Sequence, residues 1–307
     1  MLTSARKRLV WLVFRLLRIR WANKLLTRLF KLSGRRLPTI IMARFPVTGD
    51  VQVALSNSHT IVLRTDGRDT IASKMYWQGI QAHEPETIAI YLELIPKVNI
   101  VFDVGASSGL FSLIAGVVNP KLTVHAFEPV PETFAFLTNN IAVNNLKNIV
   151  PVLACATDYD GSITVYPNLS PALPFQASTT LGYQGHSTPR EITARSLTLD
   201  SYASSNKLDK IDLMKIDAEA SDHTVLEGSK GIVARYRPII ICEVLFEDTD
   251  HRLEAFFHGT GYKYFSIEES GLVPRTEVLG DSNYIYRNFL FVHESKTNML
   301  GPLIRNP

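Results

Sequence analysis

Between Ile100 and Leu110 the chain reads Ile-Val-Phe-Asp-Val-Gly-Ala-Ser-Ser-Gly-Leu, an apolar stretch entering a turn that carries Gly105 and Gly109. Glycine at those positions lets the backbone approach a ligand closely and take dihedrals other residues avoid. Glu128 closes the next apolar stretch, roughly twenty residues on, where a dinucleotide-binding fold places the carboxylate that takes ribose hydroxyls. Pro129 then turns the chain toward the next helix. A tight strand-to-helix connection would explain the glycines, and an exposed strand-end acid would explain Glu128. Their order and spacing together point instead to a bound nucleoside.

A second group lies in Ile211-Asp-Leu-Met-Lys-Ile-Asp-Ala-Glu-Ala-Ser-Asp-His223. Asp217 and Glu219 fall at the carboxyl end of a strand, the edge where open α/β sheets bind ligands. Asp222 and His223 open the following helix, where an acid has the ordinary role of capping and dipole compensation.

Two other chemistries compete for the glycine turn. A nicotinamide fingerprint needs glycine where Ser107 stands. Gly105-Ala-Ser107-Ser-Gly109 also matches the G-x-S-x-G nucleophile elbow of serine hydrolases. That elbow follows several sheet strands and an upstream oxyanion loop, whereas here it follows the first strand of the sheet, and it leaves Glu128 unexplained. A serine hydrolase using Ser107 is the alternative.

These residues need a frame. Strands are expected at 99–103, 122–127, 149–153, 211–216 and 238–244, and helices at 109–118, 131–144 and 221–235. Continuous apolar strands alternating with amphipathic helices imply a doubly wound α/β fold, its mostly parallel sheet covered on both faces. Tyr262–Ile267 and Tyr284–Val292 read as two further strands. Upstream, 51–55 and 60–64 form a hairpin around Asn57-Ser58, and Glu84–Ile95 has helical spacing. Between 161 and 205 the sequence is irregular and rich in Ser, Thr and Pro. Such long loops are usually functional. This stretch and residues 66–83, with Tyr76, Trp77 and His83, are expected to shape an acceptor pocket. Three segments result: a basic helical segment at 1–36, a hairpin-and-helix extension at 37–97, and the catalytic domain at 98–307.

Charge is unevenly spread. Residues 1–49 hold twelve Lys or Arg and no acid, leaving 20 basic against 29 acidic residues in the remainder. An acidic body excludes a broad nucleic-acid-binding face. The run Leu9–Phe14 is too short to span a bilayer, and no cleavage site follows it as in a signal peptide. Arg20, Lys24, Arg28, Lys31 and Arg35 share one face of a helix expected over 5–33, opposite Leu25, Leu26 and Leu29. That pattern suits peripheral contact with an anionic membrane; docking on the chain's own domain is the other reading. A cytoplasmic location follows, including the inner face of a membrane. Cys155 and Cys242 lie in apolar stretches and read as buried free thiols, and no metal-site spacing occurs.

The stretches FDVGASSGLFS, HAFEPVPETFAFLTNNIAVNN, TLDSY and LMKIDAEASDHTVLEGS…RPIIICEV, in that order across residues 98–245, resemble the FkbM family of S-adenosylmethionine-dependent methyltransferases. The resemblance implies a class I methyltransferase fold with S-adenosylmethionine as cofactor. The turn would cradle its amino-acid part and Glu128 its ribose, with Asp103, Gly105, Ala106, Ser107, Gly109, Glu128 and Pro129 as the binding set. It also implies O-methylation of a sugar, glycan or natural-product acceptor. In-line transfer to a hydroxyl requires close alignment and a base. Asp217 and Glu219 are the candidates, with His223 a third; their other role is to bind the acceptor hydroxyl or the cofactor's ammonium group. The chain departs from the family at three positions: Ser107 for the usual Asn, Ala220 for Gly, and Asp222 for Glu. Ala220 keeps open a non-catalytic, membrane-associated cofactor-binding protein as a further alternative.

Overall fold

The computed structural model describes residues 25, 29, 47–56, 58–167, 177–178, 190–219 and 221–305. The chain begins with a hairpin, β1 (Thr48–Ala54) and β2 (Thr60–Asp66), and two helices, α1 (Thr70–Gln78) and α2 (Pro85–Leu94). Strand and helix then alternate through β3 (Ile100–Val104), α3 (Leu110–Val118), β4 (Thr123–Phe127), α4 (Pro131–Val143) and β5 (Ile149–Val152). Four strands branch off next: β6 (Cys155–Ala156), β7 (Gly161–Pro167), β8 (Ala177–Ser178) and β9 (Ile192–Leu197). The chain returns through α5 (Leu199–Ser205), β10 (Leu213–Ile216), α6 (Asp222–Glu227), α7 (Lys230–Tyr236) and β11 (Ile239–Glu243). It closes with α8 (Asp250–Phe257), β12 (Tyr262–Glu268), β13 (Gly271–Arg275) and β14 (Asn288–His293).

The main sheet has the order β13-β12-β14-β11-β10-β3-β4-β5. From β5 to β11 every pairing is parallel, and β14 runs antiparallel to β11 and β12. Successive side chains on a strand face opposite sides. Val101, Leu213, Ile241 and Leu290 enter a core with α2 and α3, while Phe102, Met214, Ile240 and Phe291 enter another with α6, α7 and α8. Burial on both faces is why these strands read as unbroken apolar runs. The chain leaves β3 for β4 on one side, and β10 lies on the other. A doubly wound sheet opens its ligand crevice at such a switch point.

The extension is fastened to this sheet. Val51, Val53, Ile61 and Leu63 share a core with Leu113 and Leu137. Asn140 of α4 and Asn144, which caps its C-terminal end, accept from the backbone N–H of Arg64 (2.7 Å) and Val62 (2.8 Å), and Asn144 Nδ2 also donates to the Val62 carbonyl (2.7 Å).

Several expectations need correction. The helix expected over 221–235 is two helices, α6 and α7, broken at Gly228, where a Cβ would lie 1.9 Å from the Thr157 carbonyl oxygen. The last strand starts at Asn288 rather than Tyr284, because the Asp281 side chain takes the N–H of Asn283, Ile285 and Tyr286 into a turn. The stretch 161–205 is partly regular, since β7 pairs antiparallel with β9 before α5 begins. Of the helix expected over 5–33, only Leu25 and Leu29 are described, both helical and over half exposed. Its basic face, Arg20, Lys24, Arg28, Lys31 and Arg35, lies outside the described residues, as do Ala220 and residues 168–176 and 179–189. Among the described residues no helix is long and apolar enough to cross a membrane.

Candidate active site

The glycine turn is dictated by its neighbours. Gly105 has φ 75°, and a Cβ there would stand 2.0 Å from the Asp217 carbonyl oxygen, so the ends of β3 and β10 can touch only through glycine. The N–H groups of Gly105 and Ala106 both donate to the Phe127 carbonyl, at 3.0 and 2.9 Å, which folds the turn across the end of β4. Gly109, φ 94°, starts α3 in the left-handed region, with a Cβ position only 2.7 Å from Leu137 Cδ1. Ser107 is also left-handed, φ 51°. Asn tolerates that region better than Ser, which gives the departure at this position a local cost. Asp103 lies beneath the turn, 2% exposed, and accepts from Ser112 Oγ at 2.5 Å.

Glu128 is 5% exposed at the end of β4. Its Oε2 accepts from the Ser107 N–H (3.1 Å) and its Oε1 from the Val130 N–H (2.9 Å). A carboxylate has about four lone-pair sites, so two remain for a ligand. Burial pushes its pKa up to about 7, against the pull of those two backbone bonds.

The second group gathers around a buried cation that the sequence reading passed over. Lys215, opposite Asp103 in the β10–β3 register, is 1% exposed and lies 4.9 Å from the centre of the Phe111 ring. Its Nζ donates to Asp217 Oδ2 at 3.1 Å and stands 4.0 Å from Glu84 Oε2. Burial would lower the Lys215 pKa, but Asp217 and Glu84 outweigh it and hold the ammonium charged. Burial would likewise raise Asp217, and the Lys215 charge and hydrogen bond keep it below the usual carboxylate range. Glu219, φ 47°, lines the same cleft. Glu243, at the end of β11, meets Arg287 Nη1 at 2.9 Å, and burial together with Asp217 pushes it up to about 8.

Gly105, Ser107, Glu128, Pro129, Asp217 and Glu219 therefore line one cleft. Asp103, Ala106 and Gly109 support the turn from behind and do not line it. Asp222 is fully buried; its Oδ1 accepts from the Ala218 N–H at 3.1 Å, and burial together with Asp217 pushes it up to about 6. It closes the loop before α6 instead of capping the helix. His223 is not among the cleft-lining residues, and its Nε2 faces Arg252 Nη1 at 3.0 Å. Among the described residues, no histidine hydrogen-bonds Ser107, the partner a serine nucleophile needs, and no group of three or more His, Cys, Asp and Glu is placed to hold a metal ion. Cys155 and Cys242 are buried free thiols. The cleft also takes His83, Glu84 and Lys74 from the extension. Of these the sequence had singled out only His83.

A mostly parallel doubly wound sheet closed by antiparallel β14, with this glycine turn and strand-end acid at its switch point, is the class I methyltransferase fold. The "Methyltransferase FkbM domain" profile matches residues 103–264. The chain is 31% identical over 215 residues to "31-O-demethyl-FK506 methyltransferase FkbM" of Streptomyces tacrolimicus, covering 61% of this chain and 80% of that one. It is 26% identical over 158 residues to "Hexuronic acid methyltransferase AglP" of Haloferax volcanii, covering 52% of this chain and 61% of that one. A solved "Methyltransferase FkbM" from Methylobacillus flagellatus KT superposes with TM-score 0.43 at 14% identity, covering 64% of this chain and 43% of that one. The chain belongs to the FkbM methyltransferase family and is an S-adenosylmethionine-dependent methyltransferase. That sets aside the serine hydrolase, while Ala220, on which the non-catalytic reading turned, lies outside the described residues.

Proposed function

We propose that the cleft binds S-adenosylmethionine and transfers its methyl group to a hydroxyl oxygen of a sugar, glycan or natural-product acceptor. The observation that carries this is Glu128, buried, tied by two backbone N–H groups and left with lone pairs at the cleft. A vicinal diol fits such a carboxylate in a two-point contact. Gly105 and Ser107 face the cofactor's amino-acid part, Pro129 bounds the ribose side, and Asp103, Ala106 and Gly109 keep the turn in shape. When bound, the cofactor supplies an electrophilic methyl on a positively charged sulfur. Asp217 and Glu219 match that charge from the acidic side of the cleft and orient the acceptor. Because Lys215 holds Asp217 ionised, Asp217 accepts hydrogen bonds well and protons poorly.

In this reading residues 98–307 form the methyltransferase unit and 37–97 an extension that completes the acceptor side, preceded by the basic segment 1–36. The basic face of that segment and the exposed Leu25 and Leu29 support peripheral contact with an anionic membrane through residues 5–33, on its cytoplasmic side. The test is incubation of the full chain with methyl-labelled S-adenosylmethionine and cell extracts separated into lipid, glycan, small-molecule and nucleic-acid pools. Label should enter the glycan, glycolipid or small-molecule pool in a base-stable, ether-like linkage. Label confined to nucleic acid contradicts the proposal.

A further inference from the structure

His83 and Glu84 come from the extension, before the first strand of the main sheet, yet both line the cleft. Glu84 takes φ 43° immediately before Pro85, a backbone state that a non-glycine residue ahead of proline avoids. Distant groups hold it there: Asn288 Nδ2 donates to Glu84 Oε2 at 3.0 Å and contacts Thr87 Oγ1 at 3.0 Å, and Lys215 Nζ stands 4.0 Å from the same Oε2. The other oxygen, Oε1, faces His83 Nε2 at 3.4 Å. A carboxylate beside one ring nitrogen is the kind of neighbour that fixes a histidine tautomer, with the proton on the nitrogen facing it.

Two other cleft acids, Asp217 and Glu243, are already paired with cations. Asp217 is bound to Lys215, and Glu243 is engaged by Arg287 Nη1 at 2.9 Å. The charged groups bearing on His83 are Glu84 on its own segment, Lys74 on α1, and Asp217 and Lys215 on β10. Burial lowers the His83 pKa, against the opposing pull of Glu84, and leaves the ring neutral at physiological pH.

We propose that His83 is the base that removes the acceptor's hydroxyl proton, with Glu84 as the positioning residue that sets its tautomer; this rests on the chain being an O-methyltransferase. In the step, the acceptor O–H bond breaks and its proton passes to the imidazole. The oxygen's electron pair forms the new O–CH3 bond. The carbon–sulfur bond breaks with its pair retained by sulfur, which turns the sulfonium into a neutral thioether. The imidazolium returns its proton to water.

The test takes the full chain and its H83Q and E84Q variants, with melting curves confirming that each folds. Histidine-labelled NMR, assigned by the signal lost in H83Q, should show His83 titrating below the ordinary 6.5, and lower still in E84Q, which lacks the Glu84 charge. Calorimetry should show that H83Q binds S-adenosylmethionine within about threefold of the parent. With methyl glucuronide and methyl glucoside as probe alcohols, H83Q should lose roughly a hundredfold or more in kcat, and E84Q less. A His83 pKa at or above 6.5, indifference of His83 to E84Q, loss of cofactor binding in H83Q, or undiminished turnover overturns the proposal. Should both probe alcohols be inert, the titration and the calorimetry decide it. A parent chain that fails to bind the cofactor indicts the methyltransferase site itself, a result distinct from any of these.

Discussion

Replacing Glu128 with alanine removes one carboxylate and three things it does. The contact proposed for it with the ribose hydroxyls would be charge-assisted, worth roughly 1.5–3 kcal/mol, so affinity for S-adenosylmethionine should fall about ten- to a hundredfold. The Ser107 and Val130 N–H groups, now at 3.1 and 2.9 Å from its oxygens, lose their acceptor. Each costs roughly 1 kcal/mol, the low end of the range, since water can enter from the cleft. The third effect is on pH dependence. Burial raises the folded-state pKa of Glu128 from 4.5 to about 7. A carboxyl raised in this way contributes stability that is complete below the unfolded value of 4.5 and is lost as pH rises through about 7, on the order of 3 kcal/mol. The variant lacks that loss, so its deficit relative to the parent should be larger at pH 5 than at pH 8. The ionised form is the better acceptor for hydroxyls, so parent affinity should weaken as pH falls below about 7, and binding near neutrality should release protons. Calorimetric titration in buffers of different ionisation enthalpy reads both quantities. Unchanged affinity in the variant, or the same proton release with and without Glu128, refutes the assignment.

Asp217→Asn keeps the shape but removes the charge that Lys215 stabilises, and should reduce turnover by about tenfold or more while changing cofactor affinity less. Equal losses in both place Asp217 in the cofactor half of the site. Gly105→Ala puts a Cβ 2.0 Å from the Asp217 carbonyl oxygen at φ 75°, and should destabilise the fold by more than about 2 kcal/mol in urea denaturation. A change within about 0.5 kcal/mol contradicts the close approach of β3 and β10. A chain shortened to begin at Pro38 should stay folded, bind cofactor as before and lose binding to anionic vesicles. The longer chain should bind those vesicles with about 1 kcal/mol per basic residue near the surface and release as salt rises. Aggregation or a much lower melting temperature of the shortened chain places the apolar face of residues 5–33 on the domain instead.

The parallel sheet was legible because burial on both faces writes itself as apolar runs, and β3, β4, β5, β10 and β11 fall within two residues of their expected bounds. The turn and Glu128 were legible because spacing along one βαβ unit is a local property. What was not legible depends on contacts between distant segments. Helical periodicity runs straight through Gly228, where the helix breaks and the Thr157 backbone, far off in sequence, packs so close that only glycine fits. β7 and β9 carry polar residues on an outer face and pair with each other rather than with the main sheet, so they resembled a loop. Lys215 was not singled out in the sequence, because its partners Glu84 and Phe111 lie far from it along the chain. Glu84, next to His83 at the cleft, is held by Asn288, some two hundred residues further along the chain. The Asn pair at the C-terminal end of α4, part of the family-like motif, proved to fasten the hairpin in place, with Asn140 also donating to the Ser108 carbonyl at 2.8 Å behind the glycine turn.

A crystal structure of the full chain with S-adenosylhomocysteine, the product left after methyl transfer, tests the central claim most directly. The ribose hydroxyls should bond the Glu128 carboxylate, the amino-acid part should lie along Gly105–Ser107, and the sulfur should point toward Asp217 and the acceptor side formed by His83 and Glu84. A ligand seated elsewhere, or one whose ribose makes no contact with Glu128, contradicts it.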